Sequence, residues 1–237
     1  MSNRTILVLM TVGVLASSPT AASTVLGTGT GALLGGDLTD PNNDIDDDAP
    51  GNPPFFGTGY DFVNADASSE LTFSPGSGNE AALDLFDNKV EGGETKWCCD
   101  GPPQFVAIEF RDPWILTHFT IAAGNDVPER DPDVWRIEGS DDGTTWTTIY
   151  EYDDDGVSPF SQRLEVIRFD VETDFPTPAA YRWFRYSVDS VVSGGDHQID
   201  EIELFGTPPP PVPALDPRAL GAMILALAIA GWLAIRR

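Results

Sequence analysis

The chain has 237 residues, with 38 acidic and 13 basic side chains and a formal net charge of −25 at pH 7. So strong a negative field repels nucleic acid and anionic lipid and draws divalent cations, and it suits salty surroundings equally well. Two histidines and two cysteines, without a Gly-x-Ser-x-Gly elbow, a P-loop or a His-Glu-x-x-His helix, give catalysis little to work with, so a non-enzymatic protein is expected.

Residues 1–22 read as an export signal. Arg4 is the basic start, Ile6 to Leu15 the apolar stretch, and Thr20-Ala21-Ala22 the small-residue exit. Residues 23–70 form an acidic, Gly- and Asp-rich segment. Within it Asp40, Asn42, Asp44 and Asp46 alternate as in a calcium loop. They lack the Gly and distal Glu of an EF-hand, so a solvated acidic loop is the better reading.

From Leu71 to Gly206 short runs rich in Val, Ile, Phe, Trp and Tyr recur between Gly, Pro and Asp clusters. Strands are expected at 104–110, 115–123, 134–140, 145–152, 164–171, 181–188 and 200–206, several of them alternating with period two. The helical candidate is "NEAALDLFD", Asn79 to Asp87. Many short strands with almost no helix predict an all-β sandwich or barrel.

Residues 207–217 make a stiff Pro-rich linker. Residues 218–237 hold an uncharged run from Ala219 to Ile235, closed by Arg236 and Arg237. That run is at the short end for a membrane-spanning helix, and the terminal arginines would keep the C-terminus cytoplasmic.

The stretch "FDNKVEGGETKWCCD", Phe86 to Asp100, concentrates the chemistry. Cys98 and Cys99 are adjacent, so they lack the C-x-x-C spacing of a redox pair, and no nearby His completes a zinc site. Calcium suits the segment better: Asp87, Asn88 and Thr95 offer oxygen donors on one loop, and the last strand could bring Asp200, Glu201 and Glu203 beside it.

Four pieces, in order, carry a resemblance to a known family. "LFDN…ETKW" (Leu85 to Trp97), "GNDVPERDPDVWRIEGSDDGTTWTTIY" (Gly124 to Tyr150), "AYRWFRYSV" (Ala180 to Val188) and "IDEIELFG" (Ile199 to Gly206) are similar to the motifs of discoidin-like, F5/8 type C or galactose-binding-like domains and related carbohydrate-binding modules. The resemblance implies a jelly-roll β-sandwich over 71–206 that binds a structural Ca2+ and uses loops at one end for glycans, lipid head groups or protein partners. Carried over by position, Asp87, Thr95 and Glu201 would be calcium ligands, and Asn88, in place of the family's Gly, would give its carbonyl. The insertion "KVEGGE" lengthens the loop and leaves the exact set open.

Trp97, Asn125, Asp126, Arg130 and Asp131 lie on candidate ligand loops. A Trp at this position also suits core packing, and Arg130 with Asp131 a loop-stabilising ion pair; Trp135 and Trp146 are expected to pack. In an exported protein Cys98 and Cys99 have no third cysteine to pair with, and form either a vicinal disulfide, the favoured reading, or two buried thiols. The tail, with Val212-Pro213-Ala214-Leu215 before the apolar run, resembles PEP-CTERM and IPTL-CTERM sorting tails, although "PEP" itself is missing. It implies membrane attachment through the C-terminal helix and handling by an envelope sorting machinery.

The combined expectation is an exported, surface-associated module that binds extracellular carbohydrate or another surface ligand and no nucleic acid. The competing class is a structural envelope or matrix protein without a small ligand.

Overall fold

A computed structural model of the protein describes residues 23–39, 62–69, 80–92, 95–154 and 156–211. The expected export signal, the Asp40 to Asp46 run and the expected membrane helix lie outside these residues. No helix among the described residues is long and apolar enough to cross a membrane.

The strands are β1 (Thr24–Thr28), β2 (Phe62–Ala67), β3 (Trp97–Cys98), β4 (Gln104–Ala122), β5 (Pro132–Ser140), β6 (Thr147–Asp153), β7 (Glu165–Asp170), β8 (Tyr181–Val191), β9 (Gln198–Ile199) and β10 (Ile202–Thr207). The two strands expected at 104–110 and 115–123 are one. β4 runs through both and belongs to two sheets. Its first half pairs with β2 and β8 and its second with β7 and β10. The pairing with β8 slips between Glu109 and Trp114, where Pro113 cannot donate to a ladder. At that slip the strand leaves one sheet for the other.

The front sheet has the order β2-β4-β8-β5-β6 and the back sheet β1-β7-β4-β10, every pair antiparallel. The architecture is an all-β sandwich. Alternation explains its front layer: Val106, Ile108 and Phe110 of β4 and Phe184, Tyr186 and Val188 of β8 are buried, while Phe105, Trp183 and Arg185 take the other face. The back sheet adds Phe119, Ile121, Ile167 and Phe169 to the same core.

Two expectations change. The helical candidate is a short 3-10 turn, Ala82–Phe86, with all five residues buried. It is apolar on every side, so it is wedged into the core and has no polar stripe to support a surface helix. The sandwich also takes in strands ahead of residue 71, because β1 and β2 form outer strands of the two sheets.

Gly139 of β5 shows how tightly the front sheet is packed. A Cβ there would collide with the ring of Tyr181. Gly139→Ala is expected to lower stability by about 1–3 kcal/mol in thermal or urea unfolding, and by much less in a Tyr181→Ala background.

Candidate functional site

The loop expected to hold calcium leaves the buried turn at Asp87. Asn88 then reverses the chain with a positive φ of 60°, a conformation Asn tolerates better than most residues. Both side chains are buried. Asp87 Oδ1 accepts from the Lys89 N–H at 3.0 Å, and the Val90 N–H donates to Thr30 Oγ1 at 2.9 Å, so the N-terminal segment anchors the loop. Thr95 returns the chain and donates its hydroxyl to Asp200 Oδ1 at 3.1 Å. Asp87, Thr95 and the Asp200–Glu201 link between β9 and β10 are therefore neighbours across the sandwich edge.

The electrostatics of this edge are unfavourable as the protein stands. Burial, reinforced by the nearby Asp87, pushes the Asp200 carboxyl up to about 8. Burial first, and then the charges of Asp87, Asp37, Glu203 and Asp200, hold Glu201 well above the usual carboxylate range. Asp200 Oδ2 and Glu201 Oε2 are buried without a hydrogen-bond partner.

Their neighbour Glu203 is differently placed. It accepts from the N–H groups of Leu34 and Gly35 at 3.1 and 2.6 Å and from Thr120 Oγ1 at 2.7 Å. Asp37 accepts from Thr39 and from the Leu204 N–H. Those two carboxylates fasten the N-terminal strap, whereas the unpartnered Asp200 Oδ2 and Glu201 Oε2 are oxygens suited to a hard divalent cation.

Among the described residues, the set of three Asp, Glu, His or Cys donor atoms lying within 4.8 Å of one another is Glu80, Cys98 and Cys99. It is no metal site, because Cys98 and Cys99 are joined to each other as a vicinal disulfide. Carboxylate oxygens of Asp87, Asp200 and Glu201 do not all lie within that distance of one another, so a cation at this edge would draw on other oxygens as well.

The five residues expected to touch ligand divide. Trp97 is 2% exposed; its ring packs edge-on against His197 and Tyr186 and its Nε1 donates to Ser69 Oγ at 3.1 Å. Asp131 is fully buried. It pairs with Arg163, through two hydrogen bonds, and accepts from Ser158 Oγ. Neither can meet a ligand at the surface, and the ion pair expected between Arg130 and Asp131 joins Asp131 to Arg163 instead.

Arg130 turns outward. Its Nη1 lies 3.6 and 3.5 Å from the sulfurs of Cys98 and Cys99, and its Nη2 3.4 Å from Asp196. Asn125 and Asp126 are held by Lys96, whose ammonium donates to them at 2.7 and 2.8 Å and to Gln198 Oε1 at 3.2 Å. The hydrogen bond from Lys96, helped by its charge, draws the Asp126 carboxyl below its usual range, and 51% of that side chain remains exposed.

Lys96, Glu80 and Asp196 escaped the sequence reading as parts of this end of the molecule. The clue was compositional: Lys96 is one of two lysines in the chain, and a buried lysine requires carboxylate company. His197, beneath them, is buried and lowered to about 3, so it stays neutral, with Nε2 3.0 Å from the Tyr186 hydroxyl.

The F5/8 type C domain family profile matches residues 64–201, from β2 to the buried Glu201. The chain belongs to the F5/8 type C domain family. No curated protein matches the sequence.

Among solved structures this F5/8 type C domain is similar to a CBM32 module from Clostridium perfringens in complex with GalNAc-β-1,3-galactose, at 19% identity over 60% of this chain and 94% of that one, TM-score 0.47. It is similar to the CBM32 of AlyQ in complex with 4,5-unsaturated mannuronic acid, at 16% identity over 62% and 97%, TM-score 0.46. It is also similar to the C-terminal domain of a Bacteroides fragilis chitobiase, at 20% identity over 62% and 96%, TM-score 0.46. Within the F5/8 type C domain, Arg130, the disulfide, Asp196 and Asp126 form the exposed part of the loop end, and Asp87, Asp200 and Glu201 its buried acidic edge.

Proposed function

We propose that the protein is an exported, surface-associated, non-catalytic module that binds extracellular carbohydrate and is stabilised by calcium. The observation that carries the ligand reading is the set of polar groups fixed at the loop end. Arg130 is steadied by Asp196 across the disulfide, and Asp126 is pinned by a buried ammonium yet half exposed. A guanidinium beside carboxylates supplies paired donors and acceptors for vicinal hydroxyls, held in place before any ligand arrives. A glycan array probed with the protein should show hits, at least some of which Arg130→Ala removes. The strongly acidic surface favours a second reading, a structural envelope or matrix protein, and silence across neutral and acidic polysaccharides would decide for it.

Calcium would be held by Asp87, Asp200 and Glu201, with oxygens from Asn88 and Thr95. Bound there, it would neutralise the repulsion that burial imposes on these carboxylates. At calcium one hundred times its dissociation constant, the gain of about 2.7 kcal/mol corresponds to a melting temperature roughly 5–10 °C above that in chelator. Asp87→Asn and Glu201→Gln are expected to abolish that difference. Identical melting curves with calcium and with chelator would remove calcium from the proposal. The ends of the chain belong to the same reading: the signal exports the module, and the tail holds it at the envelope or presents it for sorting. Mass spectrometry of the mature protein would show whether the chain still runs past Ile235.

A further inference from the structure

The solvent face of the front sheet carries a cavity of about 170 Å³, away from the loop end. β5 starts beside Arg130 and Asp131 and ends at Ser140, so at ~3.3 Å per residue its far end is roughly 25 Å from that site. The cavity lies over this far half of the sheet.

The floor is Ala107. On the sheet it stands opposite Asp66 of β2 and Arg185 of β8. It points away from the core, because Val106 and Ile108 point into it, yet it is only 2% exposed. An alanine on a solvent face becomes that enclosed only when larger side chains ring it. Here the ring includes Phe105, Trp146, Trp183, Arg185 and Asp66.

The walls are held. Arg185 Nε and Nη2 both lie 2.7 Å from Glu138 Oε2, and its guanidinium carbon is 4.2 Å from the Trp146 ring centre and 5.6 Å from that of Phe105. Trp183 is backed by the Gly143 turn. That glycine has a φ of +68°, and a Cβ on it would meet Trp183 Cε2 at 3.0 Å. Asp142, also on the rim, accepts from the N–H groups of Thr144 and Thr145 at 2.8 and 2.7 Å. Asp66 is exposed and opens onto solvent.

The geometry points to a second sugar subsite, a shallow socket on the sheet face that takes one ring of a neutral polysaccharide. The indole and phenyl side chains give apolar contact to the C–H groups of a pyranose, and the exposed Asp66 accepts from its hydroxyls, while Asp142 is engaged by Ser140, Thr144 and Thr145. The cavity is below the usual ~300–1,000 Å³ of a closed small-molecule pocket, which fits one ring of a chain lying across the sheet. Arg185 is already neutralised by Glu138, so Asp66 and Asp142 set the local charge and turn away uronates, sulfated sugars and phosphates. This inference rests on the carbohydrate reading but uses residues separate from the loop end.

The test is isothermal titration of the full-length protein with cellohexaose, mannohexaose and galactohexaose, and with polygalacturonate as the anionic probe. The variants are Asp66→Ala, which alters an exposed side chain; Ala107→Leu, which fills the floor, its folding checked by thermal melting; and Arg130→Ala at the loop end. The expected result is that a neutral probe binds, that Asp66→Ala and Ala107→Leu each weaken its binding at least tenfold, and that Arg130→Ala retains the component those two variants lose. Binding that Arg130→Ala abolishes while Asp66→Ala and Ala107→Leu leave it at the wild-type level would overturn the sheet-face socket and leave the loop-end reading intact. Preference for polygalacturonate would overturn the neutral class. No binding of any neutral probe would overturn the socket, whereas the carbohydrate reading falls only if polygalacturonate and the glycan array are silent as well.

Discussion

Trp135→Ala is expected to destabilise the protein by about 3–5 kcal/mol, a large part of the roughly 5–15 kcal/mol that holds a domain of this kind folded. The indole is fully buried at the centre of an aromatic cluster. Phe119, Tyr150, Tyr152, Phe169 and Tyr186 lie with ring centres 6.2, 5.3, 5.9, 5.7 and 5.9 Å away. These rings come from β4, β6, β7 and β8, so one truncation loosens both sheets together. The matching drop in melting temperature is roughly 6–20 °C. Trp135→Phe should behave differently. Trp135 Nε1 is buried without a hydrogen-bond partner, and removing an orphaned donor returns about 1–3 kcal/mol, offsetting much of the lost volume. Equal losses for Ala and Phe in urea unfolding would show that the N–H carries no penalty.

Asp131→Asn is expected to cost about 3 kcal/mol, the lower end for a broken buried ion pair. The lower end applies because Asp131 is fully buried while Arg163 keeps 24% of its side-chain exposure, so the stranded guanidinium can recover part of its hydration. The pair joins the β4–β5 connection to the β6–β7 connection, and the Asp131 carbonyl accepts from the Val192 N–H at 3.0 Å, which draws in the loop after β8. Its loss should therefore loosen the loop end that positions Arg130. The destabilisation should change little with salt, because water and ions do not reach the carboxylate. A double-mutant cycle with Arg163→Ala measures the coupling, and additive losses would mean the pair contributes nothing.

Some of this was legible in the sequence and some was not. Strands β4 to β8 and β10 announce themselves because each buries one face, and burial writes itself as alternation or as clustered β-branched and aromatic residues. β1 and β2 do not. They are outer strands, and "TVLGT" is exposed or half-buried along its length, so no apolar rhythm marks it. "ALDLF" looks helical because Leu, Ala and Phe fall at helical spacing, but enclosure on all sides leaves a single 3-10 turn. Trp97 and Asp131 stand on candidate loops, where a sequence leaves both ligand contact and packing or ion pairing open. Their burial depends on Arg163 and His197, which are distant in sequence and become neighbours only when the sheets close.

The sequence by itself determined the class and the composition of the protein: an all-β chain with F5/8 type C motifs in order, strongly acidic. Those features are local, written in alternation, turn residues and short motifs. The tertiary structure alone decided which carboxylate oxygens of Asp200 and Glu201 lack a hydrogen-bond partner, which basic groups are spent in the interior, and that a ring of aromatic side chains encloses Ala107 on the outer face of the front sheet. Such facts depend on distances between strands far apart in the chain, and those distances are set by packing.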